Sequence, residues 1–125
     1  MMTKAAAVAV GGALGALLRF YVQNWSLGRL GAIFPYGTLL VNVTGAFFIG
    51  FLMTIFLRHV HIAPAWRLFF VTGILGGYTT FSALVWETYT LTEKGQSAMA
   101  LLYLGGSFAG GLAALGLGIW LGRLV

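Results

Sequence analysis

The sequence predicts an all-α integral membrane protein, with four transmembrane helices in a single domain covering residues 1–125. Three observations predict it. The composition is 60% hydrophobic and 7% charged, with a mean hydropathy of +0.96, and a soluble domain of this size needs far more polar surface. The apolar residues fall into four runs, each with the roughly 20 residues that a hydrocarbon core requires. The separators between them are short and hold Arg29, Arg58, Glu93 and Lys94, the two histidines and the two prolines.

The first run extends from about Ala5 to about Trp25, with Arg19 near its far end. The opening Met-Met-Thr-Lys resembles a signal peptide, but the apolar run outlasts a usual h-region and further spans follow, so a retained first helix is expected. Ser26 to Tyr36, with Gly28, Arg29, Gly31 and Pro35, reads as a loop. The second span runs from about Pro35 to Leu57, and Arg58, His59, His61 and Pro64 form a polar turn. The third covers about Ala65 to Thr90, Thr92 to Gln96 form the next loop, and the fourth covers about Ser97 to Leu121. Connections this short make sequential helices antiparallel neighbours.

The third run carries GILGGYTTFSAL, residues 73–84. Adjacent glycines lower helix stability, and adjacent Thr79 and Thr80 compete for local backbone hydrogen bonds. A broken third helix is expected. Non-helical backbone at membrane depth is tolerated only when buried in protein or lining a cavity. Carbonyls from such a break suit a cation, whereas helix N-termini and hydroxyls favour an anion. The residues alone leave the ion open.

The formal charge of +5 comes from seven Lys/Arg against two acidic residues, scattered along the chain. No basic patch for nucleic acid exists. Cysteine is absent, which removes disulfides and thiolate metal sites. Lys4, Arg58, Arg67 and Arg123 fall on one side of the membrane, and Arg19, Arg29 and Lys94 on the other. The positive-inside rule acts on a Lys/Arg bias, and here that bias nearly vanishes. Either the chain inserts in both orientations, or a fixed orientation is set by charges this tally misplaces.

Four slim helices leave little room for a water-filled path, so a transporting protein of this size is expected to oligomerise. The 19 glycines favour close helix contacts, with small-xxx-small spacing at Gly11 and Gly15 and around Gly105, Gly106, Gly110 and Gly111.

Asn42 lies within the second span, where an unpaired amide facing lipid costs several kcal/mol. Thr38, Asn42, Gly45 and Ile49 share its helix face. Asn42 is then either interhelical glue or a hydrogen-bond donor to a permeant species. On the fourth span Tyr103 and Ser107 share a face with Gly111, Ala114 and Gly118. Their hydroxyls either line a path or serve structure, Ser107 bonding back to its own helix. Arg19 and Glu87 fall toward span ends, where long side chains reach the interface. No nucleophile–base pair, carboxylate pair or metal-ligand spacing appears, so an enzyme is not expected.

Three segments taken together resemble one family. Gly76-Gly77-Tyr78-Thr79-Thr80-Phe81-Ser82, Gly37-Thr38-Leu39-Leu40-Val41-Asn42 and Gly15-Ala16-Leu17-Leu18-Arg19 are similar, in order and over nearly the whole chain, to the Fluc/CrcB fluoride channels. The resemblance implies an antiparallel, dual-topology homodimer in the inner (plasma) membrane of a prokaryote, with two symmetry-related fluoride pathways. It implies passive export: fluoride enters as the neutral acid, dissociates inside, and leaves through the channel as the anion. It also implies a structural sodium ion at the dimer interface, held by backbone carbonyls of Gly76 and Thr79 from both subunits. The fluoride pathway would use Asn42, Phe81, Ser82, Tyr103, Ser107 and Thr38, with Arg19 in the vestibule and Thr80, Leu84 and Glu87 in support.

The chain departs from the family pattern at Leu84, where many members have a second phenylalanine, and at Gly111, where some have another hydroxyl. The competing reading is a small four-span, dual-topology multidrug exporter. That machinery needs a carboxylate within the membrane, usually in the first span, and the first span here has none.

Overall fold

The computed structural model describes Met1–Val125 and is helical throughout, with no strand. Four helical spans are long and apolar enough to cross a membrane. The first is α1 (Met2–Leu30), the second α2 (Tyr36–Arg58) and the last α6 (Ser97–Leu124). The third, Pro64–Glu93, is composite. It comprises α3 (Pro64–Arg67), a π-helical stretch Leu68–Leu75, α4 (Gly76–Tyr78) and α5 (Phe81–Glu93). Between α4 and α5, Thr79 (φ −85°, ψ 158°) and Thr80 (φ −149°, ψ 122°) have extended backbone angles.

The helices outrun the expected boundaries. Ser26, read as the start of a loop, is helical and buried, and its hydroxyl donates to the Gln23 carbonyl at 3.0 Å. Lone Gly28 does not stop α1. The stop comes at Gly31, whose φ of 83° only glycine adopts at little cost, and whose N–H donates to the Leu27 carbonyl. The third span continues to Glu93, and within it Thr88, Thr90 and Thr92 donate to the carbonyls four residues back, so their hydroxyls are satisfied inside the helix.

Helix neighbours only partly follow chain order. α1 packs on the first half of the third span through facing glycines. A Cβ on Gly11 would collide with the Phe69 carbonyl, one on Gly15 with the Ile74 carbonyl, and one on Gly77 with the Gly12 carbonyl. The main partner of α2 is α6, not the third span. There Gly118 admits the backbone at Phe47, and Gly122 meets Thr54. Small residues thus set backbone approach where lipid supplies no hydrophobic drive. Gly105 and Gly106 face open space, whereas Gly110 and Gly111 lie against Val43 and Ala46 of α2, so only the second half of the small-residue spacing expected there packs within the chain.

The third span exchanges partners at Thr79–Thr80. Before the pair it lies on α1, and after it α5 lies on α6. The α5–α6 contact is a small buried cluster of Leu84, Leu91, Ala100 and Tyr103, flanked by Phe34 and Leu39. Most other large apolar side chains face outward, as expected for a surface solvated by acyl chains.

Candidate functional site

The site forms around the two extended threonines. Asn42, on α2, pairs with the Thr80 backbone twice: the Thr80 N–H donates to Oδ1 at 2.8 Å, and Nδ2 donates to the Thr80 carbonyl at 2.9 Å. The Thr80 hydroxyl accepts from the Ala83 N–H at 3.3 Å and caps α5. Asn42 therefore replaces the ladder bonds that the chain loses there. One Nδ2 proton remains beyond those two bonds. Thr79 donates both its N–H and its hydroxyl to the Leu75 carbonyl, at 3.0 and 2.9 Å. Its methyl occupies the space left by the missing side chain of Gly45.

An open groove of about 240 Å³ adjoins this pairing, lined by Asn42, Thr80, Phe81, Leu84, Ser107 and Phe108 among others. It carries amide and hydroxyl groups, apolar walls and no charged residue. Phe81 is 71% and Phe108 56% exposed, whereas Leu84 is 5% exposed and belongs to the α5–α6 core. Ser107 donates to the Tyr103 carbonyl at 2.7 Å, so its proton serves the helix while its lone pairs stay free for a donor. Ser82 is exposed on the first turn of α5 and does not line the groove.

A second cluster converges on Glu87. Thr38 donates to Oε1 at 2.9 Å, and Tyr103 donates to Oε2 at 2.6 Å. Tyr103 is fully buried, with its ring edge-on to Phe34 at 5.5 Å. Gln23 Nε2 lies 3.4 Å from the Thr38 hydroxyl and donates to it. Gln23, Ser26, Tyr36, Thr38 and Glu87 open together onto a polar recess of about 370 Å³ at one end of the bundle.

Arg19 lies within α1, well before its end. α1 continues to Leu30, and the Arg19 Nε donates to the Gly77 carbonyl at 3.0 Å, just before the extended pair. Arg19 answers a helix carbonyl that has lost its partner further along the span.

No three His, Cys, Asp or Glu residues approach closely enough to hold a metal ion, so a cation here would need neutral oxygens. Gly76 and Thr79 fit that chemistry. Gly76 is exposed, and only the Val71 carbonyl lies within 4 Å of where its Cβ would stand. The ψ of Thr79 carries its carbonyl off the helical direction.

Thr38, Glu87 and Tyr103 thus form one cluster, and Asn42, Thr80, Phe81, Leu84 and Ser107 another. Three participants were missed from sequence. Gln23 follows Arg19 by four residues and so shares its helix face, which was a usable signal. Tyr78 shares a hydrogen bond of 2.9 Å with Thr44, and Phe108 lines the groove; neither carries a motif that separates it from its apolar neighbours.

Residues 6–119 match the family model described as CrcB-like protein, Camphor Resistance (CrcB). The chain is 49% identical over 118 residues to a protein of Acidobacterium capsulatum named fluoride-specific ion channel FluC, covering 94% of this chain and 91% of that one. Proteins of the same name from Roseiflexus sp. strain RS-1 and Rhizobium meliloti are 47% and 46% identical, covering 95% and 93% of this chain and 96% and 93% of theirs. Matches of this length carry the resemblance beyond the three motifs, over most of the four spans. The chain belongs to the Fluc/CrcB family, a family of ion channels and not of enzymes.

Proposed function

We propose that this protein is a passive, fluoride-selective channel that lowers cytoplasmic fluoride from the inner membrane of a prokaryote. The observation that carries the reading is the groove at Thr79–Thr80, which combines neutral donors, aromatic rings and the N-terminus of α5 with no fixed charge. Fluoride is small and strongly hydrated, so a route for it must replace water without trapping the ion. The spare Asn42 proton and the positive edges of Phe81 and Phe108 favour an anion by partial charge alone. The amide end of α5 adds to that potential. A lysine or arginine in the same place would hold fluoride too tightly for conduction.

In this reading the extended threonine pair is the break of the third helix. Two chains associate antiparallel across it, giving two equivalent pathways that use Asn42, Phe81, Ser82, Tyr103, Ser107 and Thr38. Gly76 and Thr79 of each chain would hold sodium at the contact, where the ion supplies positive charge that fixes the two helix interruptions together. In the chain itself, Asn42 satisfies the Thr80 backbone and Arg19 the Gly77 carbonyl. Fluoride reaching Thr38 and Tyr103 competes with Glu87 for their hydroxyl protons. A drug exporter would need a carboxylate free to exchange protons with its substrate. Glu87 instead accepts from two hydroxyls at once, which argues against that alternative.

Anion efflux from liposomes holding the purified protein tests the reading. Fluoride should leave rapidly and chloride should be retained. Equal flux of the two ions, or no fluoride flux, would overturn it.

A further inference from the structure

We propose that Gln23 is a positioning residue of the conduction path, which fixes the direction in which the Thr38 hydroxyl donates. The inference rests on the channel reading. Thr38 has one proton and is 2% exposed, so water does not freely satisfy it. Its oxygen accepts from Gln23 Nε2 at 3.4 Å, and its proton goes to Glu87 Oε1 at 2.9 Å. The chain of donors is therefore directional: Gln23 to Thr38 to Glu87, with Tyr103 donating to the other carboxylate oxygen at 2.6 Å. A donor behind Thr38 strengthens its hydroxyl as a donor in front.

Without that amide, nothing holds the lone pair of the Thr38 hydroxyl, and the O–H is free to rotate away from Glu87. The proton would then be lost both to Glu87 and to a passing anion. Packing holds Gln23 in place. Gly37 brings α2 so close that a Cβ there would stand 3.0 Å from Gln23 Cα, 3.1 Å from its Cγ and 2.7 Å from Ser26 Oγ. The side chain is thus wedged at the polar recess that Glu87 also lines.

The test is a double-mutant cycle with an infrared readout. Gln23→Met keeps the length of the side chain and removes its N–H. It should lower fluoride efflux by about fivefold, the effect of one net hydrogen bond. In a Thr38→Val background, Gln23→Met should cause no further loss, since the group it orients has gone. The carboxylate stretch of Glu87, identified by its absence from Glu87→Gln, should shift in Gln23→Met and should not shift further when Thr38→Val is already present.

Unchanged efflux in Gln23→Met, or a loss that multiplies onto that of Thr38→Val, would overturn the proposal. If the wild-type protein carries no fluoride, the channel reading fails by itself. The infrared band then decides the role of Gln23 alone, a shift supporting it and an unmoved band overturning it.

Discussion

Asn42 and Thr80 are joined by two hydrogen bonds, of 2.8 and 2.9 Å, that use the whole backbone of one residue and both ends of one amide. The relationship bears on both sequence readings of Asn42. It is interhelical glue, because it ties α2 to the third span where the ladder is interrupted. It also lines the groove, because the amide lies at the groove wall with one N–H to spare.

Asn42→Ala should therefore have two consequences. Leaving the Thr80 N–H and carbonyl unpaired costs about 1–3 kcal/mol each. Hydrogen exchange at Thr80 and the first turn of α5 should accelerate, while α6 remains protected. Fluoride efflux should fall more than tenfold. Unchanged exchange at Thr80 would show that the bidentate pairing does not hold the segment.

The aromatic wall of the groove gives a second prediction. Leu84, where the resemblance implies a second phenylalanine in many members, is buried in the α5–α6 cluster. Phe108 is the second ring at the groove. Phe81→Ile and Phe108→Ile should each reduce fluoride efflux about tenfold or more, because an aliphatic side chain offers no positive edge. Both side chains are largely exposed in the single chain, so folding should be little affected. Full efflux from Phe108→Ile would remove that ring from the pathway.

Much of this fold was readable because hydropathy and length alone define spans. GILGGYTTFSAL also marked the third span as unusual, since glycines and paired threonines conflict with a continuous helix. Helix ends were less legible. Ser26 and Thr92 look like loop residues by type, yet their hydroxyls are satisfied by carbonyls of the helix they belong to. With α1 ended too early, Arg19 looked closer to the helix end than it is. Its partner is a main-chain carbonyl, which has no signature in a sequence. The union of Thr38, Glu87 and Tyr103 was equally hidden, since it joins three spans and each residue by itself has an ordinary alternative. Phe108 escaped because a groove wall alone defines it and leaves no spacing to detect, whereas Gln23 left one, four residues after Arg19.

Tyr103→Phe isolates the Glu87 cluster. It removes only the hydroxyl that donates at 2.6 Å to Oε2 and retains the ring against Phe34. Hydrogen bonds to charged groups contribute about 1.5–3 kcal/mol, so the thermal midpoint in detergent should drop by several degrees. Efflux should fall as well, because Glu87 would then draw on Thr38 alone. A midpoint identical to wild type would show that the carboxylate finds another donor.

Gly45 and Thr79 provide the last prediction, in the form of a rescue. Gly45 is buried on α2, and a Cβ there would collide with the Thr79 methyl. The methyl has no easy escape. Its Cβ is fixed by the hydroxyl bond to the Leu75 carbonyl at 2.9 Å, and the extended backbone follows directly after it. Gly45→Ala should therefore push α2 from the threonine pair and destabilise the protein by about 1–3 kcal/mol, the usual cost of overpacking. Thr79→Ser removes the offending methyl and keeps the hydroxyl bond. Combined with Gly45→Ala, it should restore most of the lost thermal stability, although by itself it leaves a small void and destabilises slightly. The sign of the coupling is the readout: strictly additive losses would mean that the two side chains do not meet, and that Gly45 is small for another reason.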